Sequence, residues 1–437
     1  MRRSVHPVLA VLLAAILVAP ALHAQEPPAP TPPPSQPSDS LAERLRRAEA
    51  AIESLRTQAA EQAQANVQSR LRNRVEVSGL ILVNGFYSNG KTDNSDVPLV
   101  ADTLLPADML GLPNANLGGT LRQTRLGLTV SGAHALGAQL SGDVQLDFFG
   151  GQVESPGGRT FPLLRVRTAS LRLDWLHVGF LAGQEAPLIS QRDPVSFASS
   201  GFALYTRAGN LSAWIPQARL TWETPGSVHF GLQAAALAPM QYKAQGFFTT
   251  QPDSAERSTR PSVEGRVYLA WGSGEAASEI GFGGHAGWIA TTGDTLLAST
   301  AVAGDFRLAL GSHISVAGEG FMGQALAALG GGGIGQDFGV LGVPIRTRGG
   351  GVQLDIRPSP SWQFGGGFGM DDPNEDDLPS RAGEIQGRLR NVVYSGHVVV
   401  RSGGGLLFGT EFRRIETTYG PGTMAVNHVN AYAGLAF

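Results

Sequence analysis

The sequence predicts an all-β transmembrane barrel of about sixteen antiparallel strands over residues 74–437, and three observations predict it. Short amphipathic strands are joined alternately by tight turns and long polar loops. Within single strands, apolar and polar residues alternate one by one. The chain then closes on an apolar-alternating strand that ends at Phe437. A soluble sandwich gives no reason for loop length to alternate. A membrane barrel does, because its two rims face different compartments, with short turns on one side and long loops on the other.

Ahead of the barrel, residues 1–24 read as a signal peptide. Arg2 and Arg3 precede the apolar run Val8–Ala19, which falls short of the roughly 20 apolar residues a spanning helix needs. Leu22-His23-Ala24 then offers a small residue before a cut at Gln25. Residues 25–39 are proline-rich and read as an extended spacer. Ser40 with Glu43 makes a capping box for a helix over 40–72. Its apolar residues fall at two heptad positions, Leu45, Ile52 and Ala59 at one, Leu41, Ala48 and Leu55 at the other. A narrow seam of this kind favours a self-associating coiled coil over a solitary linker helix.

In the barrel region the tight joints fall at 132–137, 174–177, 224–227, 272–277, 311–312, 358–361 and 402–405. Longer stretches fall at 89–118, 150–162, 185–212, 238–261, 291–298, 323–348, 371–383 and 418–423. Val263, Val267 and Leu269 oppose Glu264, Arg266 and Tyr268, and Val352, Leu354 and Ile356 oppose Gln353, Asp355 and Arg357. Sixteen strands enclose a lumen too wide for side chains to fill, so the apolar set is expected outward on lipid and the charged set inward on water. Aromatics near strand ends (Phe86, Tyr87, Phe148, Phe149 and the tryptophans 175, 214, 222, 271, 288 and 362) read as interfacial girdles. A terminal aromatic on such a strand resembles the signal read by the barrel-assembly machinery.

The chain has no cysteine and therefore no disulfide or thiolate metal site; its 58 glycines disfavour helix. A formal net charge of −3 gives no footprint for nucleic acid. No cofactor or metal is expected. The acidic run of Asp371, Asp372, Glu375, Asp376 and Asp377 reads as a solvated loop, with a divalent cation bridging lipopolysaccharide as the lesser reading.

Four segments together resemble one family: the heptad helix, Val75–Tyr87, Leu121–Val130 (LRQTRLGLTV) and Leu164–Gln184 (LRVRTASLRLDWLHVGFLAGQ). The second strand resembles an R-Q-S-R-x-G pattern, and the fourth and fifth an L-R-x-R-x-A…AGQ pattern, found in trimeric porins that carry a periplasmic coiled coil and are associated with dicarboxylate uptake. The resemblance covers the helix and the first third of the barrel. It implies a homotrimer in the outer membrane, among lipid and lipopolysaccharide, passing small anionic solutes. After the AGQ, where that family has a tryptophan-bearing segment, this chain has Glu185-Ala-Pro-Leu188.

Gln123 and Arg125 lie on the face opposite Leu126, Leu128 and Val130, which turns Arg125 to the lumen. In the fourth strand two registers compete: one faces Arg165 and Arg167 inward, the other Arg172 and Asp174. The resembling motif favours the first. Asp143 and Asp147 on the third strand either neutralise the arginines or share in a transverse field. The resemblance also implies that the third outer loop, 185–212, folds into the lumen, bringing Arg192, Asp193 and Arg207 to the constriction. Two other functions compete with a channel. One is a barrel-anchored tether gripping the cell wall through the N-terminal segment. The other is a barrel hydrolase, against which stand the scattered histidines and the lack of G-x-S-x-G and H-E-x-x-H motifs.

Overall fold

The computed structural model describes residues 74–103, 113–151, 162–241, 251–293, 295–339, 342–381 and 384–437. The signal peptide (1–24), the spacer (25–39) and the coiled-coil helix (40–72) with its seam lie outside the described residues.

The described residues form sixteen staves. These are β1 (Arg74–Ser88), β2 (Asn116–Thr120 continued by Arg125–Ala135), β3 (Ala138–Asp147), β4 (Arg165–Asp174), β5 (Val178–Glu185), β6 (Ile215–Glu223), β7 (Val228–Leu237) and β8 (Ser262–Trp271). There follow β9 (Ser278–Ala290), β10 (Leu296–Leu310), β11 (Ile314–Gln324), β12 (Arg346–Ser359), β13 (Trp362–Pro373), β14 (Arg388–Gly403), β15 (Leu406–Tyr419) and β16 (Gly422–Ala436). Each stave pairs antiparallel with its chain neighbours. β16 returns to β1 with Leu80 opposite Ala436 and Ser88 opposite His428, so the sheet closes and leaves no edge. Phe437 completes the seam: its carbonyl accepts from the Gly79 amide (2.9 Å) and its amide donates back to Gly79 (3.1 Å).

All seven tight joints occupy one rim. On the other rim the expected long loop at 418–423 is a two-residue turn, Gly420-Pro421, with Tyr419 paired to Gly422. The polar threonines there read as loop. In the fold the Thr417 hydroxyl donates to Asn391 (2.7 Å) and accepts from the Ala101 amide (3.0 Å), so the strand runs on to the tip.

Burial is inverted relative to a soluble barrel. Arg413 is 0 % and Glu411 1 % exposed on the inner face, while Phe282 (59 %) and Met322 (60 %) stand outward. Val263, Val267, Leu269, Val352, Leu354 and Ile356 are all exposed, and their opposing polar neighbours Glu264, Arg266, Gln353 and Asp355 are buried. This is the dress of a barrel bathed in apolar solvent. Trp175, Trp222 and Trp362 lie outward at the short-turn rim, as girdle residues do. Phe86 and Phe149 do not: they are buried inside, Phe86 stacked on His428, and Trp214 lies over two inward arginines. Strand-end position could not distinguish the two faces.

Inside the barrel the loop 186–214 is folded inward. Leu188, Ala198, Tyr205 and Ala208 are fully buried in it, and Leu204, Tyr205 and Ala208 pack on Val393 and Ile415 of the wall. The first loop joins them through Ala101, and Val97 and Val100 pack with Phe149 and Ile334.

Candidate functional site

Two irregular staves build the site. β2 is interrupted at Leu121–Thr124, and each residue of Arg122-Gln123-Thr124-Arg125 uses the break. The Thr124 hydroxyl accepts from the Leu82 amide (3.1 Å) and donates to its carbonyl (3.3 Å), replacing the missing ladder bonds. The break turns Gln123 inward, fully buried, where its amide donates to Ala198 (3.1 Å) and accepts from the Ser200 amide (2.7 Å). Arg122 forms a two-bond pair with Asp96 of the first loop (2.6 and 2.9 Å). Arg125 donates to the Ser200 hydroxyl (2.8 Å) and carbonyl.

β4 carries a bulge. Asp147 pairs with Arg165 and Leu146 with Val166, but Gln145 pairs with Thr168, so Arg167 is the extra residue. The bulge satisfies both registers that the sequence left open. Above it Arg165 and Arg167 turn inward; below it Arg172 and Asp174 fall opposite Ser141 and Gln139 on the same inner face, paired at 2.8 Å. β5 ladders onto β4 only from Ala169, opposite Gln184. The Gln184 side chain extends that ladder, donating to the carbonyls of Arg167 (2.8 Å) and Val166 (3.3 Å). Beside it Gly183 has φ +149°, where a Cβ would overlap the Ala169 carbonyl. The AGQ triplet thus serves the bulge.

The result is a cationic cluster. Arg165 grips Asp147 with two bonds (2.6 and 3.0 Å) and donates to the Gly201 carbonyl (2.8 Å). Arg167 stands 3.6 Å from the same carboxylate, and Arg125 is its backbone partner on the opposite side. Arg165 and Arg167 thus share one fully buried carboxylate, and the Arg125 guanidinium, held by Ser200, lies within electrostatic reach of all three. Trp214 lies 5.0 Å from Arg165 and 4.7 Å from Arg167, and Phe202 lies 5.0 Å from Arg165, cation–π contacts that keep the planar heads in place. Asp193 faces Arg167 and Arg125 and is solvent-exposed although the barrel encloses it, so it borders water-filled space.

The inward loop is strapped around the wall. Its amides and hydroxyls reach Glu264 (Leu188, 2.5 Å), Glu319 (Ser190, 3.1 Å), Gln353 (Val195, 2.6 Å) and Glu411 (Ser196, 2.7 Å) before arriving at Gln123. The return arm seats Tyr205 against Ser395 (2.8 Å), with burial pushing its phenol up, and Asn210 against Glu319 (2.7 Å).

Of the residues singled out from sequence, the fold brings Arg125, Asp147, Arg165 and Arg167 together, with Asp193 facing them. Arg192 is instead committed to Asp305 (2.9 Å) and Glu279, in a balanced quartet with Arg266. Arg207 pairs with Asp93 of the first loop (3.1 Å). Asp143 accepts from Thr129 (2.8 Å), four residue pairs further down the wall. In the acidic run, Asp377 and Asp372 are paired with Arg346 (2.7 Å) and Arg348 (2.9 Å), and Asp371 with Thr347 (2.5 Å). Among the described residues no group of three or more His, Asp or Glu is arranged to hold a metal ion. Alternation sets Gln123 on the face of Arg125 but gives it no role, strand-end position reads Trp214 as a girdle residue, and Tyr205 carries no sequence signal; Gln184 is legible only as a letter of the resembling motif.

Comparison with solved structures finds the same architecture. The outer membrane channel DcaP of Acinetobacter baumannii is 16 % identical, with a TM-score of 0.65 over 84 % of this chain and 99 % of that one. An anion-selective porin from Comamonas acidovorans is 12 % identical, with a TM-score of 0.52 over 84 % and 100 %. OprB of Pseudomonas putida is 10 % identical, with a TM-score of 0.50 over 83 % and 94 %. At these identities the likeness is one of fold. No family model matches the chain. No curated protein sequence matches it.

Proposed function

We propose that this chain is an outer-membrane channel through which small anionic solutes, dicarboxylates among them, diffuse passively. One observation carries the reading: Arg125, Arg165 and Arg167 gather on the inner wall around a single carboxylate, beside water-accessible Asp193, in a barrel whose outer face is apolar. Guanidiniums keep their charge throughout the physiological range and match carboxylate oxygens two at a time. Fixed positive charge at a narrow, water-filled place raises the local anion concentration and screens out cations. The likeness to a channel and to an anion-selective porin supports the same reading. We further propose that the chain works as a homotrimer with its N-terminal segment in the periplasm, held by the Leu41/Leu45/Ala48/Ile52/Leu55/Ala59 seam.

The test is planar-bilayer recording of purified, folded protein under a salt gradient. The reading expects stepwise conductance, in three equal levels for a trimer, and a reversal potential on the anion side. Folded protein that never conducts would sink it.

A further inference from the structure

Two glycine tracts, 349–351 and 365–367, lie on the neighbouring staves β12 and β13, offset along them. Gly351 stands opposite Gly369, Gln353 opposite Gly367, and Gly367 opposite Ser395 of β14. Alternation puts Gly351, Gly367 and Gly369 on the inner face with buried Gln353, and Gly350 and Gly366 on the outer face with Val352. Three missing side chains on one face leave a slot, and Tyr205 of the inward loop fills it. The ring is fully buried, and its hydroxyl lies 2.8 Å from the Ser395 hydroxyl.

The slot is cut to that ring. A Cβ on Gly351 would stand 2.7 Å from Tyr205 Cδ2, one on Gly369 2.6 Å from Tyr205 Cγ, and one on Gly367 would overlap the phenol oxygen. None of the three glycines has a positive φ, and at Gly351 the ring is the nearest obstacle to a Cβ; at Gly367 the Val352 carbonyl, 2.5 Å away, bars one as well. Glycine weakens a strand and persists inside one where another group must approach closely. Here the group is Tyr205, and Ala208 and Gly209 follow it onto the same staves, Gly209 against the Gly350 carbonyl.

Resting on the channel reading, we propose that Tyr205 is a positioning residue. Its ring, keyed into the glycine slot of β12 and β13, fixes the return arm of the loop to the wall and so sets the width of the passage beside Arg125, Arg165 and Arg167. The loop's other anchors are hydrogen bonds to wall side chains, whereas the ring fills a slot spanning two staves, which makes it the contact that holds the return arm against fluctuation.

The experiment compares wild type with Tyr205→Ala, Gly351→Ala, the double variant, Tyr205→Phe and Gly366→Ala in detergent-folded protein. Single-channel conductance and hydrogen exchange over 187–211 are both read. Tyr205→Ala and Gly351→Ala, changes on different elements, are expected each to raise conductance about twofold with a noisier open level, as a wider pore must. Exchange of the loop is expected to rise about tenfold or more as the segment opens locally. The double variant should be no worse than either single change, because both remove one contact. Tyr205→Phe keeps the ring and should behave as wild type. Gly366→Ala, on the lipid face of the neighbouring stave, should be silent and controls for folding. Unchanged conductance with unchanged exchange in Tyr205→Ala and Gly351→Ala overturns the proposal. So does faster exchange at wild-type conductance, because the arm would then loosen without setting the width. If wild type itself passes no current, the channel reading fails; the slot is then judged by exchange alone, where no acceleration in Gly351→Ala overturns it.

Discussion

Gln184 of β5 donates its side-chain amide to the main-chain carbonyl of Arg167 on β4, 2.8 Å away, past the last backbone pair of the two staves. A side chain here continues a ladder that the backbone has abandoned. The arginine bulge exists because something satisfies its carbonyls. Gln184→Leu keeps the volume and removes the donor. We expect a cost of about 1–3 kcal/mol for the unmade bonds. The anion-to-cation permeability ratio should fall, while the folded barrel persists by heat-modified gel migration. An unaltered ratio would show that the bulge holds its aim without Gln184.

The arginines themselves are tested together. Replacing Arg125, Arg165 and Arg167 by Ser should lower the anion-to-cation ratio, most at low salt, since 0.1 M salt screens charges beyond about 10 Å. Reversal potentials at two salt concentrations decide it. A correctly folded triple variant with the wild-type ratio would leave these side chains only a structural role.

Asp147→Asn separates selectivity from stability. The carboxylate accepts two bonds from Arg165 and one from the Phe149 amide (2.9 Å), all in a fully buried place. Removing its charge leaves three guanidiniums facing one another. Breaking a buried pair of this kind costs about 3–5 kcal/mol. The urea midpoint should drop while the anion preference rises. Opposite movement of those two readouts is the signature; a drop in both would count against the field argument.

The outer face is tested at Val302, in the middle of β10 and 44 % exposed. Val302→Arg should cost about 2–4 kcal/mol in folding into lipid vesicles, the toll of a charge near the bilayer midplane. On a surface bathed in water the same change would be neutral.

Deleting 40–72 addresses the proposed assembly. The seam hypothesis expects a trimer less resistant to heat in detergent, with barrel conductance per unit unaltered. A deletion variant of unchanged heat resistance would reduce the helix to a linker.

Much of this barrel was legible because its signals are local. The seven tight joints carry glycine, proline or aspartate at the bend, and Glu264, Arg266, Gln353 and Asp355 alternate without interruption. Parity alone also placed Arg125. It could not place Arg167, because a bulge inserts one residue and reverses every face beyond it, and nothing in Arg165-Val-Arg-Thr168 marks the insertion. The glycine slot was illegible for a related reason: Gly351, Gly367 and Gly369 have no side chains to alternate, and the ring that explains them lies some 150 residues earlier in sequence. The partners of Arg192 and Arg207 were hidden because a loop's rank in the chain tells where it goes, not which wall it meets.

The alternation that dresses the finished barrel also governs the unfinished chain. A polypeptide with an apolar residue at every second position has a mean hydropathy near zero, however greasy one of its faces becomes. Secretion machinery that retains long apolar stretches finds little to hold in it, because roughly twenty consecutive apolar residues are what it recognises. The lipid-facing surface does not exist as a surface until the staves pair. Such a chain travels as a polar thread and turns hydrophobic only on arrival.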